Sequence, residues 1–229
     1  LGRGILDASR VRETIIRNDP AKDAEERAKG FAVANVKRYD TIRLEYCDRV
    51  TIDGIVIRDS LIYNIRPICC RDLEIRNVKA IGSWRYNADG FDLHNCERVT
   101  IRDSFIRTYD DALCIKGLDC WMKESDMEHD GYRHDVFRDV LVSNVVTWCD
   151  WGLNYEIGAE TRAREIANVR FVDCDAIRAS SGVCDVQSVD WADIHDITYE
   201  NIRIELDGEW MAPQMQKSDD QRYVETSGG

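Results

Sequence analysis

Short bursts of alternating apolar and polar residues recur along the chain, and they superimpose. CDRVTIDGIVI from Cys47, CRDLEIRNVKA from Cys70, CERVTIRDSFI from Cys96, RDVLVSNVVT from Arg138, IANVRFVDCDA from Ile166 and IHDITYENIRI from Ile194 share one register. Each places apolar residues two apart: Val50 and Ile52, Leu73 and Ile75, Val99 and Ile101, Val140 and Val142, Val169 and Phe171, Ile197 and Tyr199. A period of two predicts strands. The equivalent positions Val50, Leu73, Val99, Val140, Val169 and Ile197 recur at intervals of 23, 26, 41, 29 and 28 residues, which is a solenoid spacing. Strands too short to bury a face alone, repeated at this interval with no helical pattern between them, predict an all-β right-handed parallel β-helix. The interval of 41 holds about a dozen extra residues. They predict a loop inserted at 117–135, at the edge of any cleft the coils form.

A second strand per coil aligns in DGFDLHN from Asp89, DALCIKG from Asp111, LNYEIGA from Leu153 and GVCDVQS from Gly182. With Phe91 and Leu93, Leu113 and Ile115, Tyr155 and Ile157, and Cys184 and Val186 inward, their neighbours point outward. Asp92, Cys114, Glu156 and Asp185 then form one outward row, and His94, Lys116, Gly158 and Gln187 a second. Neighbouring coils lie about 4.8 Å apart, so these rows make a nearly continuous acidic, polar strip of the kind a carbohydrate cleft would present.

No Pro/Gly/Ser-rich linker divides the 229 residues, so a single domain over 1–229 is expected. The chain starts at Leu1, without Met, directly in strand-like sequence, which fits a missing N-terminal segment. No apolar run reaches the length of a membrane span. A net charge of −12 opposes nucleic acid, anionic membranes and polyanionic substrates. The nine cysteines show no CxxC pair. Cys47, Cys70 and Cys96 stack on consecutive coils, and Cys174 and Cys184 fall on inward positions, so all five read as small, reduced, apolar packing residues. Unpaired core thiols point to a reducing, cytoplasmic compartment; a missing N-terminal segment would reopen an extracellular one. The oligomeric state is open.

Asn87, Ala88, Asp89 and Gly90 precede one strand, and Thr108, Tyr109, Asp110 and Asp111 precede the next. Asp89 and Asp111 share a register, so three carboxyls converge across two coils. Hydrolysis of a glycosidic bond needs one carboxylic acid to protonate the leaving oxygen and one carboxylate to attack or to activate water; like charges in close proximity keep one group protonated. Asp-Gly and Asp-Asp are also ordinary turn residues, whose side chains bond nearby backbone.

At these residues the sequence resembles glycoside hydrolase family 28, the polygalacturonases, which share a clan with the family 49 dextranases. NADGFDLHN corresponds to the family's Asn-Thr-Asp motif, YDDALCIKG to its Asp-Asp motif and GRGILDAS to its glycine-rich early coil. The resemblance implies an inverting hydrolase without a cofactor or metal, with Asp110 as general acid and Asp89 and Asp111 holding the nucleophilic water. Asn87, Lys116, Glu156, Asp185, Gln187, Asp92, His94, Trp84 and Trp151 are expected to line the substrate site, the two tryptophans as platforms for pyranose faces. Two departures bear on substrate. The family's Gly-His-Gly becomes Gly152, Leu153 and Asn154, and its cationic Arg-Ile-Lys becomes Asp185, Val186 and Gln187. An aspartate there repels a uronate but accepts hydrogen bonds from the hydroxyls of a neutral sugar. A neutral α-glycan is therefore the expected substrate. A polysaccharide lyase or polygalacturonase acting on pectic uronates, and a non-catalytic glycan-binding β-helix, are the alternatives.

Overall fold

The computed structural model describes residues 3–12, 20–30, 32–33, 40–83, 85, 87–119 and 122–206. The repeating segments are strands that pair in parallel, in the register their alternation predicts. Val50 lies opposite Leu73, Leu73 opposite Val99, Val99 opposite Val140, Val140 opposite Val169, and Val169 opposite Ile197. The second strand of each coil builds a six-stranded sheet in the order Cys184–Val186, Tyr155–Ile157, Leu113–Lys116, Phe91–His94, Ile65–Ile68, Ile42–Glu45. The chain winds as a right-handed parallel β-helix, the hand that parallel crossovers take in nearly all folds.

The core lies between the sheets. Phe91, Leu93, Leu113, Ile115, Tyr155 and Ile157 face Val99, Ile101, Val140, Val142, Val169 and Phe171, all buried. Aromatic rings continue the stack: Phe171 lies 5.5 Å from Tyr155 and 4.8 Å from Tyr199 between centroids. Each such side chain contributes roughly 1.5–3 kcal/mol by leaving water.

One corner shows how sequence sets the winding. Gly54, Asn77, Asp103, Asn144, Asp173 and Asn201 occupy equivalent positions on successive coils, each with φ between 50° and 74°. Left-handed backbone is open to glycine and tolerated by asparagine and aspartate, and only those three residue types stand there. The side chains also bond between coils: Asn77 Nδ2 donates to Asp53 Oδ1 at 2.9 Å and Asn144 Nδ2 to Asp103 Oδ1 at 2.7 Å.

Three features depart from the alternation. A helix, Pro20–Ala28, precedes the repeats; its polar sequence PAKDAEERA offers no apolar stripe to read, though proline suits a first helical turn. The segment 117–135 folds back on the stack. It contains the 3-10 turn Glu124–Met127 and the ribbon of Glu128–His129 with Tyr132–Arg133, and it buries Leu118 and Met127 against Ile68 and Cys69. Among the cysteines, Cys70, Cys96 and Cys174 are buried and Cys47 is half-buried, but Cys184 is exposed. Its register is the inward one, opposite Tyr155. Cys184–Val186 is nevertheless the outermost strand of its sheet among the described residues, so the expected burial fails for want of a following coil. All eight described cysteines are free thiols.

Candidate active site

Pairing of Phe91 with Leu113 and of Leu113 with Tyr155 stacks the three turns that precede these strands. Two glycines allow the close approach. The Gly90 N–H donates to the Asp111 carbonyl at 2.8 Å, and a methyl group on Gly90 would fall 2.1 Å from the Ala112 carbonyl oxygen. A methyl group on Gly152 would fall 2.5 Å from Asp111 Oδ1, the oxygen that accepts the Leu153 N–H at 2.8 Å. Any side chain at either glycine would push the carboxyl-bearing turns apart.

Asp89 and Asp111 share a register and bring carboxyl oxygens within 4.8 Å of each other, and Asp110 lies close enough for its charge to act on Asp89. Asp110 is 6% exposed, accepts the Asp111 N–H at 3.1 Å and a backbone bond from Asn87, and is pushed up to about 6, first by burial and then by the charge of Asp111. Asp89, 2% exposed, is held well above the usual carboxylate range by burial and by the charges of Asp92, Asp110 and Asp111, with Lys116 opposing. Its Oδ1 accepts no hydrogen bond among the described residues. Asp111 is half-buried and fixed by the Leu153 N–H. The site thus offers a carboxylic acid that holds its proton into the weakly acidic range beside an anchored carboxyl that accepts a backbone N–H, which is the pairing that acid and base catalysis needs.

Asp92, Cys114, Glu156 and Asp185 do lie in one row, partner to partner. The row is not an open strip. Asp92 and His94 are wholly buried, which corrects the expectation that they face substrate: Asp92 sits 3.4 Å from both Lys116 Nζ and His94 Nε2, and His94 Nδ1 bonds the Gly117 carbonyl at 2.9 Å. Burial pushes Asp92 up, but Lys116, His94 and Arg66 together outweigh it and hold Asp92 well below the usual carboxylate range. Lys116 itself is 6% exposed and reaches Glu160 at 3.4 Å. Glu156 is 3% exposed, while Asp185 and Gln187 are half-buried and bonded to each other at 2.8 Å. Asn87 delivers its backbone N–H to Asp110, at φ 53°. Trp151 is half exposed and stacks on Tyr109 at 5.9 Å, beside the Asp110 turn. Trp84 lies outside the described residues.

Arg66 escaped the sequence reading. It extends the acidic row by one coil, opposite Asp92, and pairs with Asp119 and, at 3.9 Å, with Asp40. The signal was present in IRPI, which aligns with FDLH once the second-strand register is extended toward the N-terminus. Asp89, Asp111 and Cys114 each bring one donor atom within 4.8 Å of the others. Burial holds the Cys114 thiol well above its ordinary range, which disfavours the thiolate that a metal would need. Two carboxylates beside a lysine fall short of the six to eight oxygens that calcium takes, and the donor set does not suit the calcium-dependent lyase alternative. Among the described residues no helix is long and apolar enough to cross a membrane.

No curated protein sequence matches the chain. Among solved structures, a hyperthermoactive exopolygalacturonase from Thermotoga maritima aligns with a TM-score of 0.48 and 17% identity, covering 80% of this chain and 50% of that one. The family 28 exopolygalacturonase of Yersinia enterocolitica aligns with a TM-score of 0.45 and 16% identity, covering 68% of this chain and 32% of that one. The chain therefore spans about half the length of the first and a third of the second. The model of glycosyl hydrolases family 28 matches residues 27–207, most of the sequence and every coil that carries the carboxyls; the chain belongs to that family.

Proposed function

We propose that the chain is a glycoside hydrolase that cleaves a neutral α-linked glycan with inversion. The observation that carries this reading is the convergence of Asp89, Asp110 and Asp111 on stacked turns, with Asp110 holding its proton up to about pH 6. Asp110 gives its proton to the glycosidic oxygen as the bond from that oxygen to the anomeric carbon breaks. Water held by Asp89 and Asp111 attacks the opposite face of the sugar, and its proton passes to Asp111, whose carboxylate the Leu153 N–H fixes. A second water restores both protonation states.

The preference for a neutral sugar rests on charge. Lys116 and Arg66 would favour a uronate, but Lys116 is spent on Asp92 and Glu160 and Arg66 on Asp119 and Asp40. Asp185 occupies the row where a uronate carboxylate would meet it, at a cost on the order of 1–4 kcal/mol. Release of reducing ends from a panel of neutral α-glycans and polygalacturonate tests both parts, with proton NMR of the first-formed anomer reporting stereochemistry. Turnover of a neutral glycan to the inverted anomer is expected. Retained stereochemistry would overturn the assigned roles, and faster release of galacturonic acid than of any neutral sugar would overturn the substrate class.

A further inference from the structure

The reading above leaves Glu156 without a task. It is a carboxyl almost fully removed from water, and the strand Tyr155–Ile157 sets it opposite Cys114, one coil from the Asp111 turn. There it faces the Asp111 carboxyl, whose proximity pushes it up. An ionised carboxylate only accepts hydrogen bonds, so two carboxyls bond each other only when one of them carries a proton. Glu156 is the more deeply buried of the two, 3% exposed against a half-buried Asp111 whose Oδ1 already accepts the Leu153 N–H at 2.8 Å, and burial disfavours the charged form. Glu156 has weaker company: the Cys114 thiol lies 3.4 Å from Oε2 and Gln187 Nε2 lies 3.4 Å from Oε1. The proton belongs on Glu156.

We infer that Glu156 is a positioning residue, a protonated carboxyl set against Asp111 from the next coil that aims the Asp111 carboxyl at the attacking water. The inference rests on Asp111 serving as the base. The groups facing Glu156 are Asp111, Cys114 and Lys116 from the preceding coil, Asp185 and Gln187 from the following one, and Tyr199 beyond. Burial and Asp111 raise it, Lys116 and Cys114 lower it, and the balance leaves it at about 9. The neutral form also limits the negative charge of the row at neutral pH. Asp92 is matched by Lys116, and Asp185, half-buried, is the acid of the row left for a ligand to meet.

The test is an NMR titration of protein labelled with carbon-13 at glutamate side-chain carboxyls. The resonance missing from Glu156→Gln should titrate near pH 9, far above the exposed glutamates, and its midpoint should fall in Asp111→Asn, which removes the neighbouring charge. A midpoint among those of the other glutamates, or one that ignores Asp111→Asn, would overturn the placement of the proton. On a confirmed substrate, Glu156→Gln keeps a hydrogen-bond donor and should retain at least tenfold more kcat than Glu156→Leu, at similar KM and with both variants folded by circular dichroism. Equal kcat for the two would overturn the positioning role. The titration does not depend on turnover, so a protein that hydrolysed nothing would count against the proposed function and leave the proton on Glu156.

Discussion

The corner at Asp103 and the turn at Asp110 use the same residue types, stack with the same spacing, and treat their carboxyls in opposite ways. At the corner, Asn144 and Arg102 hold Asp103 below the usual carboxylate range, and Asn77 and Arg76 do the same for Asp53. At the turn, burial and neighbouring carboxyls push Asp110 up to about 6 and hold Asp89 well above the usual carboxylate range. The corner matches each acid with an amide or guanidinium donor at the surface. The turn withdraws its acids from water and crowds them together. Aspartate in a stacked turn is thus a structural strut or a proton carrier according to what the next coil supplies.

The largest effect that would break this comparison is on turnover. Asp110→Asn should cut kcat by about a thousandfold, with Asp89→Asn and Asp111→Asn comparably impaired, whereas Asp103→Asn should leave kcat near wild type. Reducing-end release by the four variants on one substrate gives the ranking. Equal loss at Asp103 and Asp110 would erase the distinction. Asp185→Arg combined with Gln187→Lys should be smaller, raising the rate on polygalacturonate relative to a neutral glycan by about tenfold, the equivalent of 1.4 kcal/mol. Competition between the two substrates measures it.

Stability should respond to pH with opposite signs at the two places. The folded pKa of Asp110 lies above its unfolded value, so its contribution is present below about pH 4 and is lost as pH rises through about 6. Asp110→Asn should then match wild type in acid and exceed it at pH 7 by on the order of 1–3 kcal/mol. Asp103 is depressed, so its contribution is present above its unfolded pKa and disappears as pH falls through the folded value. Asp103→Ala should be less stable than wild type at pH 7 and converge with it in acid. Denaturant midpoints across pH 3–8 check both signs. Thiol labelling of the native protein gives the mildest contrast: Cys184 should react quickly, and Cys70 and Cys96 only after denaturation.

Alternation carried most of the fold because each coil repeats the same inward positions; six coils aligned on Val50 and its equivalents agree with the pairing residue by residue. The second-strand row from Asp92 to Asp185 was legible for the same reason. What period two cannot report is depth. It places Asp92 and His94 on the outer side of a strand, yet Lys116, Gly117 and the neighbouring turns close over them. It also cannot say which strand is outermost among the described residues, which is why Cys184 reads as core and lies exposed there. The helix Pro20–Ala28 was invisible to a search for apolar periodicity because its residues are polar. Arg66 was legible but lay one coil before the motif that anchored the alignment.

The central claim is that burial, rather than residue type, makes Asp110 a proton donor at the pH where Asp103 is a fixed anion. NMR titration of protein labelled with carbon-13 at aspartate side-chain carboxyls, with resonances assigned by Asp110→Asn and Asp103→Asn, measures it without any substrate. The account predicts a midpoint near 6 for Asp110 and one below the usual carboxylate range for Asp103. Both titrating together near pH 4 would contradict it.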